Sequence, residues 1–343
     1  VREAPVGVVL VGCGEREVQT LGAPAVRSER LRLLAVCDPD AARRAAAAQA
    51  LGVEGVADYH ELLGRREVQG VIVATGTPQN APIAQDAVEA GKHVLIEKPL
   101  AESAATARRL VEAAARRRSV GMVGNPLPFT EFARVLKRTA AALDPIQALM
   151  TVQRGPMDAR YFFPAHYGGV VDAAVHTIQL ALWVMDRPPE TVYGQLHRGS
   201  VRGRHDGTIE ALTLVVEFEG GARSATVVSS MFAPQAANFV QVVGRRGHVS
   251  SADRASLRVV SYRGIGAGLD NVTGLAQNHV ETAGEADGGS GAMLDHFAAR
   301  IGGAATEPDG ATLHDGLVAA AVTEALAEAA QTGRRVSLAG ALA

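Results

Sequence analysis

The chain has 343 residues, 47% of them hydrophobic and 20% charged, which is more than one core comfortably holds and too apolar for disorder, so two globular domains are expected. A formal net charge of -2 supplies no overall positive field and speaks against nucleic acid as a partner, and no uncharged apolar run reaches the roughly 18 to 20 residues that cross a bilayer. Cys13 and Cys37 are the only cysteines, so a disulfide framework is excluded; with an apolar strand opening at Val6 and no room for a leader, a cytoplasmic protein is expected.

The first third alternates short β-branched runs with Ala-rich helical runs, the pattern of a parallel sheet wrapped by crossover helices. Val6 to Val11, Leu33 to Cys37, Val68 to Ala74, His93 to Ile96 and Val120 to Val123 read as its strands. Ala41 to Leu51 and Ala81 to Ala90 have helical composition, and Gly52 and Gly91 follow as C-terminal caps. A longer helix is expected over Ala101 to Arg118, with cations at the end where the helix dipole favours them. After Gly124 the pattern changes to a helix over Phe129 to Leu143 and a strand from Ile146 to Arg154, which divides the chain into domains 1-124 and 125-343. From Thr191 to Tyr262 consecutive β segments follow, among them Ala211 to Phe218 and Arg223 to Met231 joined across Glu219-Gly220-Gly221. The second domain is therefore expected to be α/β with a large, mostly antiparallel open sheet. Gly264 to Gly291 reads as a long glycine-rich connection, and Met293 to Ile301 and Leu313 to Gln331 as helices, the last stopped by Gly333.

The segment Val8-Val9-Leu10-Val11-Gly12-Cys13-Gly14 runs a buried strand into a glycine turn and then a helix. Gly12 permits the tight turn, and Gly14 lets the backbone approach a pyrophosphate whose charge is met by N–H groups at the helix start. The third glycine of the dinucleotide fingerprint is missing, because Glu17 stands there; helix–strand packing must be looser or shifted, and the carboxylate is unfavourable near a pyrophosphate unless it points away. Leu33 to Cys37 ends in Asp38, an acid at the distance that suits a ribose diol and repels a 2′-phosphate, so NAD is expected in preference to NADP. The plainer alternative is that Asp38 merely opens a turn with Pro39. Thr75, at the end of the strand Val71-Ile72-Val73-Ala74, is a further candidate cofactor contact.

Gly91-Lys92-His93-Val94-Leu95-Ile96-Glu97-Lys98-Pro99-Leu100 closely resembles the Glu-Lys-Pro motif of the glucose-fructose oxidoreductase and inositol dehydrogenase family, Gfo/Idh/MocA. Gly168-Gly169-Val170-Val171-Asp172 followed by His176 is similar to that family's Gly-Gly, Asp and His signature. Asp315-Gly316-Leu317 and Gly333-Arg334-Arg335-Val336 are similar to its closing helix and strand. The resemblance implies a Rossmann domain followed by an open-sheet α/β domain that often makes homodimers or homotetramers. It implies an NAD-dependent oxidoreductase acting on a secondary alcohol of a sugar, polyol or related small molecule. By residue, it puts the catalytic lysine on Lys98, the active-site aspartate on Asp172 and the histidine on His176.

Those residue types suit the chemistry on their own terms. Histidine titrates near neutrality and can accept the hydroxyl proton that leaves when a carbinol is oxidised. Asp172, one helical turn earlier, can orient the imidazole or bind a substrate hydroxyl. Residues 172, 176, 179 and 183 are expected to form a stripe facing a cleft, with Val171, Val175, Ile178 and Leu182 as the buried stripe. The ammonium of Lys98 can stabilise negative charge on the reacting oxygen, and Pro99 biases Lys98 toward extended backbone. Glu97 reads as structural or as a contact on the cofactor side. No His and Cys spacing matches a metal site.

Departures from the family pattern accompany the match. Gln179 stands where an Asp is common, and Gly124-Asn125-Pro126-Leu127-Pro128-Phe129 lacks the cation of an Asn-Arg-Arg-Phe-like run, which argues against a phosphorylated or carboxylated substrate. Arg160-Tyr161-Phe162-Phe163-Pro164-Ala165-His166-Tyr167 offers aromatics that stack on a sugar or pack as a loop. The same catalytic set also serves a glycosidase that retains its NAD and acts by transient oxidation and elimination. Glu17 and the altered loop after Gly124 leave open a non-catalytic dinucleotide-binding protein.

Overall fold

The computed structural model describes residues 4–155, 169–198, 209–231, 236–263, 274–282, 284, 287–304 and 310–342. It divides into two compact units, Val1–Phe129 with Ala286–Ala320, and Thr130–Glu285 with Ala321–Ala343.

The first unit is built on a parallel sheet of six strands: β1 (Val6–Val11), β2 (Leu31–Cys37), β3 (Glu54–Val56), β4 (Gly70–Val73), β5 (His93–Glu97) and β6 (Gly121–Gly124), in the order β3-β2-β1-β4-β5-β6. All six residues of β1 are buried, as a strand covered on both faces requires. Between the strands run α1 (Glu15–Glu17), a π turn (Val18–Gly22), α2 (Ala23–Arg27), α3 (Ala41–Leu51), α4 (His60–Leu63), α5 (Thr77–Glu89) and α6 (Ala104–Arg117). The ends of α3 are chemically marked: Asp40 accepts from the N–H groups of Ala42 and Arg43, and Gly52 closes the helix in the left-handed conformation, φ 68°. Helix α5 starts four residues earlier than its composition predicts. Pro78 is harmless in a first turn whose amides have no helical partner, and Pro82 forgoes one internal bond.

The second unit opens with α7 (Glu131–Ala142), β7 (Pro145–Gln153) and α8 (Gly169–Met185). Strands β8 (Pro189–Arg198), β9 (Ile209–Phe218), β10 (Arg223–Ser230), β11 (Ala237–Gly244), β12 (Gly247–Ser251), β13 (Ser256–Arg263) and β14 (Gly274–Glu281) follow. Its nine-stranded sheet has the order β14-β13-β12-β11-β7-β10-β9-β8-β15, where β15 is Val336–Ser337, and is antiparallel except where β7 lies parallel to β10. Helices α7 and α8 pack together on one face, over the alternate residues Ala148, Met150, Val152, Leu212, Leu214, Val227, Val240 and Val242. The glycine-rich stretch expected as a connection contains β14, paired with β13 from Ser256↔Glu281 to Arg263↔Gly274. Its residues bury no apolar stripe, and Leu275 is 53% exposed; an edge strand held by main-chain pairing leaves little pattern in sequence.

The chain ends with α9 (Ser290–Ile301), α10 (Leu313–Thr332), β15 (Val336–Ser337) and α11 (Ala339–Leu342). Residues 286–320, expected with the second domain, cluster with the first unit. There the Phe297 ring fills the space left by the absent Cβ of Gly70, Leu313 fills that of Gly121, and the Val123 N–H donates to the Ala311 carbonyl at 2.8 Å. Among the described residues no helix is long and apolar enough to cross a membrane.

A charged network pins the start of β10. The buried Arg223 pairs with Asp144 at 2.9 Å and Glu219 at 2.8 Å and donates to the Pro145 carbonyl. Arg223 holds both carboxyls below their ordinary range. A depressed carboxyl contributes stability above its unfolded pKa and loses it as the pH falls through the folded one. Arg223→Met is therefore expected to lower the melting temperature at neutral pH by several degrees, a deficit that shrinks toward pH 3 in melts across the acid range; a deficit independent of pH would contradict the pairing.

Candidate active site

The loops singled out by sequence in the first unit all leave strands at their C-terminal ends. Taken across the sheet, β2, β1, β4 and β5 deliver Asp38, the Gly12–Gly14 loop, Thr75 and the Glu97-Lys98-Pro99 turn to one edge. The strand order reverses between β1 and β4, where sheets of this kind open a crevice.

At the end of β1, Gly12 has φ 103°, and a Cβ there would collide with the Ala74 carbonyl, so the position demands glycine. The Cys13 N–H donates to Asp38 Oδ2 at 2.9 Å, and the Asp40 N–H donates to Asp38 Oδ1 at 2.9 Å. The turn role and the link to the glycine loop thus coexist in one carboxylate, 7% exposed. Each oxygen accepts a single N–H from these partners and keeps a second lone-pair direction, which suits a ribose diol. Burial first, and the Asp38 charge second, push the Cys13 and Cys37 thiols up to about 12 and about 11, so both are neutral at physiological pH.

Gly14 caps α1 at φ -60°, and the Glu17 carboxylate folds back over the place a Cβ would occupy. The close helix–strand approach falls instead on Gly22, where a Cβ would lie 2.7 Å from Leu51 and 3.3 Å from Leu10. The packing role of the missing third glycine is therefore shifted along the helix, to the last residue of the π turn.

The residue that sequence reasoning missed is Asn80. On α5 and 1% exposed, it accepts at Oδ1 from the Thr75 N–H (3.1 Å) and Oγ1 (2.9 Å) and donates from Nδ2 to the carbonyls of Glu97 (3.1 Å) and Pro99 (3.3 Å). Those two carbonyls bracket Lys98, which is buried and joined to Pro99 by a cis peptide. The Lys98 N–H donates to Glu97 Oε2 at 2.7 Å, giving Glu97 a structural task. Leu100 beyond is buried against Gly316 of α10, where a Cβ would lie 2.8 Å from it. The only trace of this arrangement in the sequence is an Asn placed just inside a helix that follows a buried strand.

In the second unit α8 carries residues 172 and 176 one turn apart, with 179 on the same side. His176 is half-buried, Asp172 is described by its backbone alone, and Gly168 and the aromatic run 160–167 lie outside the described residues. The expected split into a buried and a cleft-facing stripe does not hold along the whole helix. Val171, Val175 and Ile178 are buried, but so are Gln179 and Trp183, while Leu182 is half-buried. Helix α8 packs on α7 as well as on the sheet, and Lys137 of α7 places its Nζ 4.7 Å from the Trp183 ring centroid and 2.8 Å from the Trp183 carbonyl. Both amide atoms of Gln179 are buried without a hydrogen-bond partner among the described residues.

Residues 6–125 match the family model for the NAD-binding Rossmann fold of the Gfo/Idh/MocA oxidoreductases, and residues 150–338 match the model for their C-terminal alpha/beta domain. The chain belongs to the Gfo/Idh/MocA oxidoreductase family. It is 27% identical over 284 residues to an inositol 2-dehydrogenase of Rubrobacter xylanophilus, covering 77% of this chain and 76% of that one. It is 28% identical over 330 residues to inositol 2-dehydrogenase 3 of Saccharopolyspora erythraea, covering 91% and 94%. A levoglucosan dehydrogenase, solved in complex with NADH and levoglucosan, shares the fold at TM-score 0.82 and 18% identity over 98% of this chain and 100% of that one.

This Gfo/Idh/MocA chain has a first unit that fits the dinucleotide its family binds. The Gly12 turn leaves backbone bare where a Cβ would intrude, and Asp38 keeps acceptor capacity beside it. Among the described residues no group of three or more His, Cys, Asp or Glu could hold a metal ion.

Asn80→Ala removes four hydrogen bonds and is expected to lower turnover about tenfold to a hundredfold through misplacement of Lys98. Asn80→Asp keeps the acceptor for Thr75 but turns a buried carboxylate oxygen toward the carbonyls of Glu97 and Pro99, and is expected to fall at least as far. Steady-state kinetics with unchanged kcat and KM in Asn80→Ala would show that Lys98 needs no such support.

Proposed function

We propose that this chain is an NAD-dependent dehydrogenase that oxidises a secondary alcohol of a sugar, polyol or related small molecule, reversibly, with Lys98, Asp172 and His176 as its catalytic residues. The observation that carries the reading is the buried Lys98, held in its turn by Asn80 and Glu97 on the same strand edge as Gly12 and Asp38. Membership of the family and likeness to inositol 2-dehydrogenases support the substrate class.

Gly12 and Gly14 would receive the pyrophosphate once the Glu17 carboxylate that folds over Gly14 swings away, Asp38 would receive the ribose diol, and Thr75 and Glu97 would line the nicotinamide side. A buried carboxylate at Asp38 disfavours a 2′-phosphate, which makes NAD the preferred form. The bound dinucleotide supplies a hydride acceptor. The protein handles the proton: His176 accepts it from the substrate hydroxyl as the C–O bond becomes a carbonyl, and Asp172 orients the imidazole or a neighbouring hydroxyl. The Lys98 ammonium hydrogen-bonds the reacting oxygen and stabilises the charge that develops on it.

The reading is tested by NADH formation at mildly alkaline pH from a panel of inositols, aldoses, sugar acids and glycosides. At least one alcohol is expected to give signal, reduced about a hundredfold or more in His176→Ala and in Lys98→Met with NAD binding retained. Turnover that survives His176→Ala undiminished would reassign the base.

A further inference from the structure

At one end of the helix-covered face of the nine-stranded sheet, buried polar atoms gather without partners. Ser229 on β10 pairs with Val152 on β7, and Val152 pairs with Asn238 on β11, so the three residues form one row across the sheet. Ser229 Oγ and Asn238 Oδ1 are buried and accept or donate no hydrogen bond among the described residues. Two residues past Val152, on the same side by strand alternation, stands Arg154, whose N–H continues the ladder to the Ser230 carbonyl at 2.9 Å.

A second guanidinium enters from the β12–β13 turn. Ser251, opposite Val240 of β11, accepts at Oγ from the Arg254 N–H at 3.0 Å, and Arg254 takes the left-handed backbone conformation, φ 62°. Its Nε is buried and has no hydrogen-bond partner among the described residues. The sheet register puts Arg154 and Arg254 at the same end of this face, and burial first, with the charge of Arg154 second, pushes the Arg254 pKa down to about 10. The nearest carboxylate in sequence, Asp253, is engaged by the N–H groups of Ala255 and Ser256 at 2.8 and 3.1 Å. Among the described residues no carboxylate pairs with Arg154 or Arg254.

Two half-buried like charges at one place, with no paired carboxylate among the described residues, are unfavourable, and the buried unpaired Nε of Arg254 adds to the cost. A planar guanidinium pair offers the donor geometry that grips an oxyanion in bidentate fashion. Ser229 and Asn238 beside it offer a hydroxyl and an amide oxygen, partners for substrate hydroxyls. The loop after Gly124 lacks a cation, but these two cations arrive from a different part of the fold. We propose that Arg154 and Arg254 form an anion-binding subsite for the substrate, which is a polyhydroxylated molecule bearing a carboxylate or a phosphate. The assignment of this anion as part of the substrate rests on the dehydrogenase reading above; the anion site itself does not.

The test is calorimetric titration of the full chain, NAD present, with D-gluconate, inorganic phosphate and the neutral D-glucitol. Gluconate or phosphate is expected to bind about tenfold or more tightly than glucitol, the tighter of the two identifying carboxylate or phosphate as the preferred group. Arg254→Gln is expected to weaken the anion about tenfold or more and leave glucitol unchanged, Arg154→Gln to do the same, and Arg254→Lys to restore part of the loss. Melting curves establish that each variant is folded, and Arg154→Gln decides the matter if Arg254→Gln is not. Anions that bind no better than glucitol, or that bind the folded glutamine variants as well as wild type, would overturn the subsite. Because calorimetry needs no turnover, anion binding in a protein that forms no NADH would count against the dehydrogenase reading alone. NADH formed from neutral polyols without anion binding would count against the subsite alone.

Discussion

The parallel pairing of β1 with β2 on one side and β4 on the other is the constraint from which the first unit follows. Every side chain of β1 is buried, and each Val or Leu withdrawn from water there contributes about 1.5–3 kcal/mol. Parallel pairing forces all the C-terminal ends onto one edge, and a strand order that reverses beside β1 separates the loops that leave it. Gly12, Asp38, Thr75 and Lys98 are far apart in sequence and share that edge for this reason alone.

The polar groups around Asp38 and Asn80 in the first unit and those of Gln179, Ser229, Asn238 and Arg254 in the second are met differently. In the first, protein partners hold the edge in place: Asp38 receives two N–H groups, and Asn80 makes four bonds to the turns on either side of it. Such an edge is organised before anything binds, which spares a ligand the cost of ordering it. In the second, Gln179, Ser229, Asn238 and Arg254 hold buried polar atoms that no described residue meets. An unmet buried polar group is costly in a folded chain, and the subsite proposed above gives Ser229, Asn238 and Arg254 a ligand to meet.

Much of this was legible in the sequence because strong local chemistry wrote it there. The strand Val6–Val11 and the helix Ala41–Leu51, with Gly52 behind it, fall where apolar runs and caps put them. The Glu97-Lys98-Pro99 motif led to the buried turn. What escaped was decided by tertiary contact. Asn80 owes its importance to carbonyls at residues 97 and 99, β14 to a partner strand and no apolar stripe, and residues 286–320 to the space that Gly70 and Gly121 leave for Phe297 and Leu313. The stripe on α8 departs from its expected split at Gln179 and Trp183, which are buried where periodicity assigns a cleft-facing side; Lys137 of α7 covers Trp183.

In the proposed function Asp38 and the Gly12 turn hold NAD, and titration of protein fluorescence with NAD and with NADP measures that directly. Saturable binding of NAD, about tenfold or more tighter than NADP, with the gap narrowed in Asp38→Ala, is expected. Equal affinity for the two dinucleotides, unchanged in Asp38→Ala, would contradict it.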